Sequence, residues 1–135
     1  MNPNLHRVIG IDLGTTYSVV AAWNHHTLQA EVIQDQTYLD DPTTPSVIGL
    51  HPHLKKVWVG WDAKRNLPND DPRNSIIEVK REMGEVFRLD TLAKFGGGGQ
   101  VGQPVKVPFA GGVFLPQEIS AFTLIKMKEI AEDVI

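Results

Sequence analysis

The chain has 135 residues, about one domain at the usual ~100–200 residues per domain, so a two-domain enzyme with its cleft between complete domains is hard to fit. Hydrophobic residues make up 41% and charged residues 21%, which is enough apolar material for a core; the net charge of −3 argues against a strongly basic nucleic-acid module, and the absence of cysteine excludes disulfide scaffolds and Cys-ligated zinc or iron–sulfur sites. Met-Asn-Pro-Asn does not open like a signal peptide and no apolar run approaches ~18 residues, so the expectation is a soluble, cytoplasmic chain with no nucleic-acid or membrane partner.

In chain order, Arg7 to Leu13 alternates apolar residues with Gly10 and Asp12, Gly14-Thr15-Thr16 breaks the run, and Tyr17 to Trp23 resumes it. Two such runs with a short link predict a β-hairpin. Asn24-His25-His26 reads as a turn, and Leu28 to Ile33 as a third strand with Leu28, Ala30 and Val32 on one face. Asp35 to Ser46 is acidic and holds Pro42 and Pro45, which predicts a loop. Val47–Leu50 and Lys56–Gly60 read as short strands, Asp62–Leu67 as a short helix closed by Pro68, and Ser75–Met83 as a helix capped by Gly84. Gly96 to Gly112 is irregular and reads as a glycine-tipped hairpin ending in Val113-Phe114-Leu115. Pro116 to Ile135 is the clearest helix: Pro116 suits a first turn, Glu118 suits the positive end, and Leu124, Met127, Ala131, Val134 and Ile135 form an apolar stripe. Acidic residues crowd its last turns and no cap follows, so the helix reads as cut rather than finished.

The segment with the most chemistry is Ile9 to Ser18. A carboxylate, Asp12, ends an apolar strand beside a glycine turn with two hydroxyls. Gly14 permits close approach of a ligand, backbone N–H groups in such a turn make an anion-binding concavity, and Thr15 and Thr16 add hydroxyl donors. Asp12 can hold a hard cation such as Mg²⁺ directly or through water. An ordinary hairpin whose Asp and Thr serve the turn fits equally well on spacing alone. Gly97 to Gly102 formally spells G-x-G-x-x-G, but no convincing strand precedes it and Pro104 follows where a helix should start, so a loop tip is the reading. His25-His26 and His51-x-His53 read as turn histidines rather than metal ligands. Trp23, Trp58 and Trp61 read as packing residues, and Asp40-Asp41 and Asp70-Asp71 as solvated turn charges.

Ile9 to Ser18 resembles the first phosphate loop of the 70-kilodalton heat-shock chaperones (the DnaK-type family), members of the actin and sugar-kinase superfamily. Thr43-Thr44-Pro45-Ser46, Val59 to Arg65, Asn74 to Gly84, and Leu115 to Ser120 with Lys126 to Glu132 resemble further family segments in the same order. The resemblance touches most of the chain and is weakest from Val86 to Phe114. It implies an α/β class built as an α+β fragment: an incomplete actin-like, ribonuclease H-like lower subdomain with an inserted upper one. Residues 1–45 would hold the first strands and phosphate loop, 46–115 the upper subdomain, and 116–135 a truncated returning helix. The resemblance further implies that Asp12 lies near Mg²⁺ and its waters, that Gly14, Thr15, Thr16 and Tyr17 wrap the phosphates of ATP or ADP, and that Lys80 is the catalytic-type lysine. From its own surroundings Lys80 reads only as a solvated helix charge.

No run in the chain matches the family's second phosphate loop or its adenosine pocket, so nucleotide binding is expected to be weak and hydrolysis by this chain stays open. The implied partners are the remainder of the chaperone chain, unfolded peptides and cochaperones. The strand bearing Ile9 and Ile11 would lack a neighbour, which predicts homodimerisation through a sheet edge. The competing readings are a self-standing interaction module that binds no nucleotide and a sugar- or acetate-kinase relative sharing only the hairpin; the Thr43–Ser46 and Asn74–Gly84 segments disfavour the second.

Overall fold

The computed structural model describes residues 2–50, 56–66, 75–77, 107–109 and 111–135. β1 (Leu5–Asp12), β2 (Tyr17–Asn24) and β3 (Gln29–Ile33) form an antiparallel meander in the order β1-β2-β3. Alternation along β2 sets its two faces: Ser18, Val20, Ala22 and Asn24 point inward and are buried. Ile9 lies opposite Ala22 and Ile11 opposite Val20, so β1 adds its isoleucines to the same face. Ala30 and Val32 do share a face of β3, and it is the exposed one; Ile33 is buried on the other. Trp23, expected to pack, stands 45% exposed on that outer face. An indole on a strand goes to whichever face its position in the alternation dictates, and the inward places on β2 belong to its even-numbered neighbours.

The loop after β3 returns to the hairpin through a two-residue strand, β4 (Thr44–Pro45), which pairs with Tyr17 and Ser18. The chain then enters a second sheet, β6-β5-β7, made of β5 (Val47–Leu50), β6 (Val57–Val59) and β7 (Ser75–Ile77). The expected helix beginning at Ser75 is corrected here: residues 75–77 are a strand. Ile76 lies opposite Ile48 and Ile77 opposite Val47, and two β-branched residues beside a buried strand gain more from that pairing than from a helical turn. Residues 78–84 lie outside the described residues. α1 (Trp61–Asn66) follows β6 and starts one residue before the expected helix. β8 (Val107–Phe109) and β9 (Gly112–Phe114) make the expected hairpin. All described pairings are antiparallel, an α+β arrangement.

α2 (Pro116–Glu132) ties the two sheets together. Pro116 occupies its first turn, and the Glu118 carboxylate accepts the Leu115 N–H at 2.9 Å, half of a capping box. Its buried stripe is Pro116, Ile119, Ser120, Thr123, Met127, Ile130 and Ala131. Leu124, expected in the stripe, is exposed, and Ser120 and Thr123 are buried in its stead. Ile119 packs with Ile48, Ile76 and Phe109 under the second sheet. Met127, Ile130 and Ala131 pack with Leu5, Val20, Ala22 and Ile33 under the first.

Candidate functional site

β1 ends at Asp12 and β2 begins at Tyr17, so residues 13–16 must reverse the chain in one tight link. Gly14 makes this possible: a Cβ built on it would overlap the Tyr17 carbonyl oxygen. The link is held from beneath by Ser46. Its hydroxyl donates to the Gly14 carbonyl at 2.9 Å and lies 2.9 Å from the Ser18 hydroxyl, and its N–H donates to the Thr16 carbonyl at 2.9 Å. Ser18 and Ser46 are both buried, so the bond between their hydroxyls is protected from water.

The outer side of the link is open. Asp12, Thr16 and Tyr17 are exposed, and Gly14 and Thr15 are half-buried. The N–H groups of Gly14, Thr15 and Thr16 donate to no acceptor among the described residues, and the Thr15 and Thr16 hydroxyls are likewise uncommitted there. A turn whose carbonyls are pinned to the protein and whose N–H groups have no protein acceptor has the chemistry to accept an anion. All five residues expected at the hairpin site therefore meet at one turn. Lys80 lies outside the described residues.

A second group braces this turn from the side. Trp61, at the head of α1, donates its indole N–H to the Thr43 carbonyl at 2.9 Å and stacks on Tyr38 with ring centroids 4.3 Å apart. One turn later Lys64 donates to the Tyr17 hydroxyl at 2.8 Å. Gly60 lets α1 start there: its φ is +81°, and a Cβ would stand 2.7 Å from the Thr44 side chain. Asp41 closes the loop by accepting from the Thr43 N–H at 2.8 Å and hydroxyl at 2.6 Å. Those hydrogen bonds from Thr43, with Lys64 nearby, hold its carboxyl below the usual carboxylate range. The reading of Asp41 as a turn charge thus gains a specific structural role. Ser46, Tyr38 and Lys64 were not singled out from the sequence. The Thr43–Ser46 motif marked the place, but nothing in it announces that the Ser46 hydroxyl reaches Gly14 across 32 positions.

Among the described residues no three His, Cys, Asp or Glu side chains gather as metal ligands. His25 sits in the β2–β3 turn against His6, ring centroids 5.1 Å apart, and His51 and His53 lie outside the described residues. Asp12 alone suits a cation that keeps most of its own waters, as Mg²⁺ does, and does not suit a cation that demands a full protein cage.

The meander, its glycine–hydroxyl link and the helix that joins both sheets belong to one class of protein, the N-terminal part of a 70-kilodalton heat-shock chaperone. The family model described as Hsp70 protein matches residues 8–135, and the chain belongs to that family. It is 36% identical over 133 residues to a heat shock protein of Pyricularia oryzae, and 37% identical over 137 residues to a ribosome-associated molecular chaperone of Saccharomyces cerevisiae. Each match covers 92% of this chain and 20% of the relative, so the chain spans about a fifth of the length of the curated relatives it matches. Among the described residues no helix is long and apolar enough to cross a membrane.

Proposed function

We propose that this chain forms the first part of the ATP-binding lobe of an Hsp70 chaperone, with the link from Leu13 to Tyr17 contacting phosphate. The observation that carries the reading is the turn itself: Ser46 holds the carbonyls of Gly14 and Thr16, while the N–H groups of Gly14, Thr15 and Thr16 have no acceptor among the described residues. In this reading Gly14, Thr15, Thr16 and Tyr17 would hold the phosphates of ATP or ADP, and Asp12 would hold the accompanying Mg²⁺ directly or through water. When bound, the cation neutralises phosphate charge. Lys80 supplies the catalytic-type ammonium from the upper subdomain, residues 46–115, while residues 1–45 and 116–135 belong to the lower one. The remaining length of the relatives would complete the site and carry the contacts to unfolded peptides and cochaperones, in the cytoplasm.

The test is a titration with Mg-ATP followed by amide chemical shifts. The expected result is weak binding, roughly millimolar, with shifts concentrated at Gly14 to Tyr17. A tight site of roughly micromolar Kd would contradict the incomplete-site reading. No response at all would favour the second reading, a protein-interaction module that binds no nucleotide. The apolar outer face of the first sheet, where Trp23 and Val32 are exposed, is the observation that supports that alternative.

A further inference from the structure

We propose that Trp61 is a positioning residue for phosphate, acting at a distance through the segment from Thr43 to Val47. The inference rests on the phosphate reading of the Leu13–Tyr17 link and identifies what aims that link. The segment lies across the hairpin as a strap. Thr44 pairs with Ser18 and Pro45 with Tyr17, and Ser46 holds the carbonyls of Gly14 and Thr16. A peptide unit is planar, so holding the Gly14 carbonyl also sets the direction of the Thr15 N–H. That N–H is one of the donors with no acceptor among the described residues. A donor aimed in advance binds an anion without first having to be ordered.

The head of α1 grips the strap at both ends. Gly60 donates its N–H to the Val47 carbonyl at 2.9 Å, and Trp61 donates its indole N–H to the Thr43 carbonyl at 2.9 Å. The grip on Val47 is backbone to backbone, whereas the grip on Thr43 depends on one side chain. An indole has a single donor and no acceptor, so this bond is the whole of its polar capacity. The ring is fixed in turn by Tyr38, stacked at 4.3 Å with 18° between the planes. Tyr38 and Thr43 belong to the same loop, so Trp61 clamps that loop with its face and the start of the strap with its edge. Trp61→Phe keeps an aromatic face for Tyr38 and removes the hydrogen bond to Thr43. Ser46, three residues further on, would then hold the Gly14 carbonyl less firmly.

The test is an Mg-ATP titration of the wild type, Trp61→Phe, Ser46→Ala and the double variant, followed by amide and indole N–H shifts. In the ligand-free protein Trp61→Phe should move the amides of Thr15 and Ser46. It should weaken Mg-ATP binding about threefold, the scale of one lost hydrogen bond. Ser46→Ala should cost a similar factor, and the double variant no more than the larger single effect, because both act along one path. In the wild type the Trp61 indole N–H should shift as Mg-ATP is added, while that of Trp23, at the far end of β2, stays in place. That measurement needs no variant to fold. Losses that multiply in the double variant would overturn the proposal, because they would mean that the indole touches the nucleotide directly. So would a Trp61→Phe protein whose Thr15 amide does not move or whose affinity is unchanged. A wild type with no response to Mg-ATP overturns the nucleotide reading and this proposal together. Amides of Gly14 to Tyr17 that respond while the Trp61 indole stays still overturn this proposal alone.

Discussion

At Gly14 the absence of one methyl group decides the course of the chain. The Tyr17 carbonyl occupies the space a Cβ would need, and the Gly14 carbonyl is turned toward the Ser46 hydroxyl. Gly14→Ala must therefore move backbone rather than a side-chain tip. We expect it to cost about 1–3 kcal/mol, the usual range for an over-filled, well-packed site. Urea denaturation measures the loss, and amide shifts of Thr15, Thr16 and Ser46 locate it at the turn. An unchanged midpoint would mean that the link tolerates a different path. The turn was legible as a glycine turn because Gly, Thr and Thr interrupt two apolar runs. The Ser46 anchor was not legible, because a hydroxyl can bond many acceptors and only the folded chain brings this one to Gly14.

At the scale of the element, local pattern and tertiary pairing agree in most places and part at a few. β1, β2, β3, β5 and α2 lie within a few residues of where periodicity puts them. β7 does not, because Ser75-Ile76-Ile77 takes its structure from β5. The β2–β3 turn is governed by Asn24, whose side-chain oxygen accepts from the His26 and Thr27 N–H groups at 2.8 and 3.2 Å. Leu28 follows with a φ of +57° and is exposed, so it bears a left-handed backbone with no packing in return. A left-handed conformation costs an L-residue about 1–2 kcal/mol, partly offset in glycine by its greater loss of chain entropy. Leu28→Gly should therefore raise stability by about 0.5–1 kcal/mol. Thermal unfolding checks this, and a lower midpoint would show that the leucine makes a contact worth more than the strain.

Across the whole molecule, α2 is the common wall of two cores, and Lys126 fastens it to the loop after β3. Its ammonium lies 3.3 Å from the Asp35 carboxylate, which also accepts from the Thr37 N–H at 2.8 Å and hydroxyl at 2.6 Å. Burial pushes the Asp35 carboxyl up, but the Thr37 hydrogen bonds and Lys126 together outweigh it, so it titrates below its ordinary 3.8. A depressed folded value means that the stabilisation is complete above the unfolded value and is lost as pH falls through the folded one. Asp35→Asn should cost about 2 kcal/mol at neutral pH, typical of hydrogen bonds to a charged group, and progressively less below about pH 4. Denaturation at a series of pH values measures the difference. A gap that does not narrow in acid would mean that the Asp35 charge is not what holds the loop to α2.

Strand alternation, the glycine turn and the proline-started helix were legible in the sequence, and the five ordered motifs carried the resemblance to the family, because each depends on neighbours within a few positions. The pairing of residues 75–77, the burial of Ser120 and Thr123 where Leu124 was expected, the exposure of Trp23 and the hold of Ser46 and Lys64 on the hairpin could not be read that way. Each depends on which surfaces the fold brings together. A side chain's burial and hydrogen-bond partners are set by groups tens of residues distant, whose approach is a property of the packed molecule.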